Sequence, residues 1–356
     1  MTPVDHLPPV EPPSAGFIVQ LFLIPALIVA AIVGVWALFG KLASNEQDVS
    51  RVLADIRSSN ANRRGPAMHT FTRMLQVDSR RDADKQQYVN NPSVASSTAD
   101  ILQFWLENVP SQRAGKIDTL NTQIFLTRAL GWFDVPDKVL PTLRKALHVE
   151  PEPYSGDQTE QEIRNLQQQV RTSAVESIAI IAHRASTRGE PIQEPGLIDE
   201  LIDVTNSPDA ETELRHRGAF ALGLLPSEQS RQQLSAWLKN ADDKTRLNAA
   251  IALARQNSTE GYDVFVSVLR EAVTPIPSPK QEKLTPSQRK RAITLEKFER
   301  WAAVRNVLEA VLLLSGRFQE DQRAELIRLI EPIERDYQYP DVRMAAEAVL
   351  KSLESR

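Results

Sequence analysis

Five histidines, His6, His69, His148, His183 and His216, are the side chains best suited to move a proton near neutral pH. No two stand four residues apart, so no helix face carries a metal-binding pair of the H-E-x-x-H type. His183 and His216 fall in helical segments and read as polar-face or hydrogen-bonded packing residues. There is no cysteine, which excludes disulfides, thiolate metal sites, iron–sulfur clusters and cysteine nucleophiles. Gly-Lys occurs at Gly40-Lys41 and Gly115-Lys116, but without the upstream glycine of a phosphate-binding loop. Asp and Glu total 46, yet no spacing singles out a pair for acid–base work. The sequence therefore supports no catalytic residue, cofactor, metal site or small-molecule ligand. A site assembled across distant segments would leave no trace in it.

Charge narrows the partners. A net charge of −4 gives no global attraction to nucleic acid, and no nucleic-acid partner is expected. The charge is uneven. Glu194 to Glu213 holds seven acidic residues and no Lys or Arg, whereas Lys280 to Arg305 holds eight basic and three acidic ones. Both stretches read as solvated helix faces. In the second, Ala292, Ile293, Leu295 and Phe298 alternate with the cations and read as the core stripe of an amphipathic helix.

The elements that would position any site are helices. Leu214-Arg215-His216-Arg217-Gly218-Ala219-Phe220-Ala221-Leu222 returns, 31 residues on, as Thr245-Arg246-Leu247-Asn248-Ala249-Ala250-Ile251-Ala252-Leu253. Self-similarity at such a period marks stacked repeats. Leu214, Gly218, Ala221, Leu222 and Leu225 form one stripe, while Phe220 and Leu224 add apolar surface elsewhere. A helix apolar over so much of its girth is buried from several directions, and its small residues let neighbours come close. With only 13 glycines, a barrel or sandwich with many tight turns is disfavoured.

The same reading gives about seven helix pairs: 46–58 with 62–77, 98–108 with 117–131, 136–148 with 159–186, 195–206 with 211–224, 228–239 with 243–256, 259–272 with 286–314, and 319–337 with 341–354. Ser227 is a plausible N-cap, and Thr285-Pro286-Ser287-Gln288 offers a capping box with Pro at the first helical position. Pro332 is expected to kink its helix rather than end it. Residues 78–97, 149–158 and 273–285 read as disordered insertions between pairs.

The N-terminal segment is different. Residues 1–16 are Pro-rich and lack Lys and Arg; Phe17 to Phe39 follows, with Gln20 as its only strongly polar side chain. As a helix these residues would span roughly 34 Å, enough for a bilayer core with some tilt. Phe17, Phe22, Pro25, Trp36, Phe39 and Lys41 fit an anchor, with Pro tolerated inside and aromatics and a cation at the rim. A cleaved signal peptide fits less well, because no positive charge precedes the run and no small-residue cleavage site follows it. A buried core helix is disfavoured by the length of the apolar run. Lys41, Arg51 and Arg57 on the C-terminal flank place the rest of the chain in the cytoplasm by the positive-inside rule.

Second helices open with a hydrophobic–Arg or Thr–Arg pair: Val170-Arg171, Leu214-Arg215, Thr245-Arg246, Val304-Arg305 and Val342-Arg343. Asp209, Asp242, Asp243 and Asp341 stand in the turns before them. This pattern resembles the HEAT repeats of the armadillo-like α-solenoids, with the HEAT-like phycobilin lyases as relatives. The likeness is good over about 195–272 and 300–354, fair at 165–186, and weak before that. It implies an all-α, right-handed solenoid, which the apolar run Phe17 to Phe39 would precede as one transmembrane helix. The segments would be a tail at 1–16, an anchor at 17–39, divergent repeats at 44–148, HEAT-like repeats at 159–272, a Pro-rich loop at 273–285, and C-terminal repeats at 286–356. It implies that Arg171, Arg215, Asp242, Arg246, Arg305, Asp341 and Arg343 are structural and tie one repeat's turn to the next. The function implied is a membrane-anchored scaffold or adaptor that binds a protein without catalysis. The alternative is an enzyme of the chromophore-lyase kind acting at the membrane.

Overall fold

A computed structural model describes residues 49–153, 156–275 and 285–355, together with residues 16, 26–27 and 29–33. Apart from one short 3-10 turn, Ala83–Lys85, the regular elements among the described residues from 49 onward are α-helices. They are α1 (Val49–Arg57), α2 (Ala61–Ser79), α3 (Pro92–Glu107), α4 (Arg113–Leu130), α5 (Pro136–Leu147), α6 (Gln158–Thr187) and α7 (Leu197–Asn206). Then come α8 (Thr212–Gly223), α9 (Glu228–Asn240), α10 (Asp243–Arg255), α11 (Tyr262–Ala272), α12 (Pro286–Leu314), α13 (Glu320–Asp336) and α14 (Pro340–Glu354).

Local chemistry starts these helices where the sequence puts them. The side chains of Asn60, Asn91, Asp157, Ser227, Asp242 and Thr285 each accept a backbone N–H of the first turn, which would otherwise lack a partner. Thr285 and Gln288 form the full capping box. Helix α13 runs through Pro332, and α2 and α5 likewise carry Pro66 and Pro141 in their interiors.

Each odd-numbered helix packs on the even-numbered one that follows it. The even-numbered helices also pack on one another in sequence from α2 to α14, forming an unbroken row. The odd-numbered row is continuous from α1 to α9 and pairs again at α11 with α13. Between them α10 touches α8, α9, α11 and α12. This is a two-layered stack of HEAT-like helical repeats.

The row is tight because two glycines leave no room for a side chain. A Cβ on Gly223 would lie 2.6 Å from the Ala252 Cβ and 2.9 Å from its Cα. A Cβ on Gly261 would lie 2.6 Å and 2.8 Å from the same atoms of Ala250. Ala250 and Ala252 point to opposite sides of α10, so the helix is gripped from both. Two apolar cores meet there. Ala249, Ala252 and Leu253 belong to the core that begins at Leu53, while Ala250, Ile251 and Ala254 belong to the one that ends at Leu353.

Several expectations change. The segment 78–97 is structured: α2 continues to Ser79, and residues 92–97 are the first turns of α3. Asp78 organises the loop between them. Its buried carboxylate accepts the backbone N–H of Gln87 (2.8 Å), Tyr88 (2.7 Å) and Val89 (3.0 Å). In the segment 149–158, the Glu152 N–H donates to the Gln167 side chain at 2.8 Å, and Arg164 donates to the Glu152 carbonyl at 2.9 Å. Residues 276–284 of the third loop lie outside the described residues. The stripe expected to be core in the basic stretch is not core: Leu295 and Phe298 are 58% and 60% exposed, Ala292 and Ile293 are only half-buried, and burial in α12 begins at Val304. The reason is length, since α11 is too short to cover the first half of α12.

The anchor residues Phe17, Phe22, Pro25, Trp36, Phe39 and Lys41 lie outside the described residues. Leu27, Val29, Ile32 and Val33 are helical and exposed. No helix among the described residues is long and apolar enough to cross a membrane.

Gly223→Ala is expected to destabilise the chain by roughly 1–3 kcal/mol, because the added methyl meets the α10 backbone as well as a side chain. Urea denaturation followed by circular dichroism measures it; an unchanged midpoint would show that the two helices can separate freely.

Candidate interaction surface

The arginine pattern resolves into unequal parts. Arg171 on α6 is buried and reaches across the repeat boundary to the α7–α8 turn. It pairs with Asp209 and donates to the Ser207 hydroxyl (3.0 Å) and the Val204 carbonyl (3.1 Å). Burial alone would raise the Asp209 carboxyl, but hydrogen bonds from Ser207 and Arg171 outweigh it and hold the group below its ordinary value. Arg246 pairs instead with Asp243 of its own helix. Arg305 pairs with Glu309, 3.3 Å away on α12, and lies over the Trp301 ring. Arg343 donates to the Tyr337 carbonyl in the turn before its helix at 2.7 Å. Asp341 accepts the Trp301 indole N–H at 3.0 Å. Arg215 is half-buried, and its guanidinium makes no ion pair or hydrogen bond among the described residues.

Beside Arg215, His216 makes the cross-repeat tie. Its Nε2 lies 3.0 Å from Asp242, the residue that caps α10 through Thr245. Its Nδ1 lies 3.5 Å from Glu213. Burial would raise the Asp242 carboxyl; the hydrogen bonds from His216 and Thr245 reverse this and hold it far below the usual range. Three further ties carry no sequence signature. Buried Arg64 pairs with Asp118 and stacks on Trp105. Arg144 binds Glu194 and Glu200, and Arg184 donates to the carbonyls of Gly131, Trp132 and Phe133 at the end of α4. Their hydrogen-bonded partners named here lie 50 or more residues away in sequence, and Trp105 41 residues from Arg64, beyond the reach of any local pattern.

These ties also consume the acidic stretch. Glu194 and Glu200 are taken by Arg144, Asp209 by Arg171, and Glu213 by Arg217. Little of that charge is left to steer a partner.

What the even-numbered row does offer outward is a tied stripe. Glu176 and Ile180 on α6, Arg217 and Phe220 on α8, Arg255 on α10, and Glu309, Leu312 and Leu313 on α12 follow one another across the stack. Ile180 is 47%, Phe220 37% and Leu313 54% exposed. Arg217 bridges α8 to α6 through Glu176 at 2.9 Å. Arg255 lies over the Phe220 ring at 4.9 Å. Desolvation lowers the Arg255 pKa and the Glu309 carboxylate raises it. Apolar side chains held between cross-helix charge contacts suit binding: they offer burial to a partner without reorganisation. Among the described residues no group of three or more His, Asp or Glu is placed to hold a metal ion.

A family model described as HEAT repeats matches residues 197–276, which spans α7 to α11. No curated protein matches the chain. Among solved structures, human deoxyhypusine hydroxylase in complex with glycerol is similar over 89% of this chain and 99% of that one, at 15% identity and a TM-score of 0.28. A likeness at that level carries no inference about this chain's activity.

The Asp242 cap makes a signed pH prediction. A carboxylate with a depressed folded pKa stabilises fully above its unfolded value of about 3.9, and the contribution drains away as pH falls towards the folded one. Stability measured by denaturant titration should therefore fall more steeply below about pH 4 in the native chain than in Asp242→Asn. Parallel acid limbs would mean that the His216–Asp242 contact contributes nothing.

Proposed function

We propose that this chain is a helical-repeat scaffold that holds a protein partner against the even-numbered row and is tethered to a bilayer by residues 17–39, with the repeats on the cytoplasmic side. The reading is a non-catalytic one. The observation that carries it is the exposed apolar series Ile180, Phe220, Leu312 and Leu313 on the helices of one row, set among cross-helix charge contacts. Isolated exposed apolar residues are ordinary; a series carried by three helices of one row, α6, α8 and α12, is how stacked helices offer an extended surface. The apolar composition of residues 17–39 supports the tether. A tether would keep the partner at the membrane and raise its local concentration there.

Two experiments test the two halves. A photocrosslinking amino acid placed in turn at Ile180, Phe220 and Leu313 should capture the same discrete protein in cells, while one at the exposed Gln232 of α9 should not. Equal capture from both rows, or none from the even-numbered row, would end the scaffold reading. For the tether, the absence of cysteine makes Gln232→Cys a unique label site. Protection from a membrane-impermeant maleimide until lysis is expected; labelling in intact cells would reverse the orientation, and recovery of the chain free of membranes would remove the anchor.

A further inference from the structure

The first half of α12 extends past the end of α11, and none of its residues from Pro286 to Arg300 is buried. It is held in place all the same. The Arg300 guanidinium donates to the carbonyls of Glu271 (3.2 Å) and Thr274 (2.5 Å), closing the C-terminal end of α11. Trp301 is fixed by its bond to Asp341 and by ring contacts at 5.4 Å to Phe298 and 6.4 Å to Tyr339. Beneath this overhang lies an open cavity of about 400 Å³. Ala272, Val273 and Ile293 give its lining apolar surface, and Lys297, Tyr337 and Tyr339 add polar groups.

The polar groups there are donors in search of an acceptor. Lys297 makes no ion pair among the described residues, and the hydroxyls of Tyr337 and Tyr339 have no hydrogen-bond partner among them. Burial raises the Tyr337 phenol, which keeps it a donor at neutral pH. Asp336 on the cavity wall is engaged by Arg335 at 2.9 Å. Arg289, Lys290 and Arg291 extend the positive charge along the overhang without ion pairs among the described residues, and Glu299 is neutralised by Lys244 at 2.8 Å. On a chain of net charge −4 this is a local basic surface.

We propose that the cavity beneath the α12 overhang is a docking site for an acidic peptide segment, which seats one aliphatic or aromatic side chain against Ile293, Val273 and Ala272 and places a carboxylate among Lys297, Tyr337 and Tyr339. Ile293, Lys297 and Arg300 stand at helical spacing on the face that continues into Val304 and Val307, so the cavity and the core share one side of α12. A concave site with an apolar floor and a few convergent donors selects a side chain and a carboxylate together. An anionic bilayer fits worse. An interfacial helix needs one broad apolar face with its cations opposite. Here Leu295 and Phe298 share their stripe with Arg291, and the cations run round the helix. The site is separate from the stripe on α6 to α12 and does not depend on the scaffold reading.

The test uses the full chain and an array of short fluorescent peptides that combine Asp and Glu at every spacing with one Leu, Ile, Phe or Trp. Neutral and Lys-substituted analogues and phosphatidylserine vesicles run in parallel. Acidic peptides should bind and their analogues should not. Lys297→Glu, which touches no structural contact, should weaken binding about tenfold or more by replacing an attraction with a repulsion. Tyr339→Phe, which keeps the ring contact with Trp301, should weaken it about threefold through the lost hydroxyl. Leu295→Ala, on the far side of the helix and without a contact to the cavity, should leave it unchanged. The proposal is overturned if no acidic peptide binds, if Lys297→Glu binds as well as the native chain, or if the overhang binds vesicles in a Phe298-dependent way and no peptide.

Discussion

The rest of the molecule depends on how closely α8, α10 and α11 approach one another. At Gly223 and Gly261 the neighbouring chain already fills the space a Cβ would need, against Ala252 and Ala250 respectively. Interiors packed this densely tolerate neither an added nor a missing methylene cheaply. The contacts fix the spacing of successive repeats, and the spacing fixes where the outward residues fall. Phe220 of α8 meets Arg255 of α10 across the junction that Gly223 keeps close.

Charge serves this packing before it serves any partner. The carboxylates from Glu194 to Glu213 read in the sequence as a solvated acidic face, yet four of the seven are engaged by Arg144, Arg171 and Arg217. Arg144 and Glu200 each hold the other in its charged form, with their mutual hydrogen bond as the leading cause. The basic stretch is the reverse case. Arg289, Lys290, Arg291 and Lys297 make no ion pair among the described residues, because α11 ends short of them.

The helices and their pairing were legible from apolar stripes and, for some, from a recognisable cap, as at Ser227 and Thr285. What was not legible depends on contacts distant in sequence. Arg171 and Arg215 occupy matching places in the repeat, but only Arg171 finds an aspartate across the turn; at the other repeat the work passes to His216. Asp78 gave no local sign that it would accept three backbone N–H groups and order the chain as far as Val89. Periodicity in α12 correctly predicted one long helix and wrongly predicted a core face along all of it. A pattern of apolar residues records which face is oily, not whether a neighbour is long enough to cover it.

The sharing of α10 between two cores bears on how the chain comes apart. In a stacked array, stability is close to a sum of terms for each unit and each junction, so a weak junction lets one end melt while the other persists. Here the junction is a single helix whose alternate residues serve both sides, Ala252 and Leu253 for one core and Ala250 and Ala254 for the other. Neither block can lose its last layer without stripping a face from the other's first. That shared layer couples the two halves of the stack through one thirteen-residue helix.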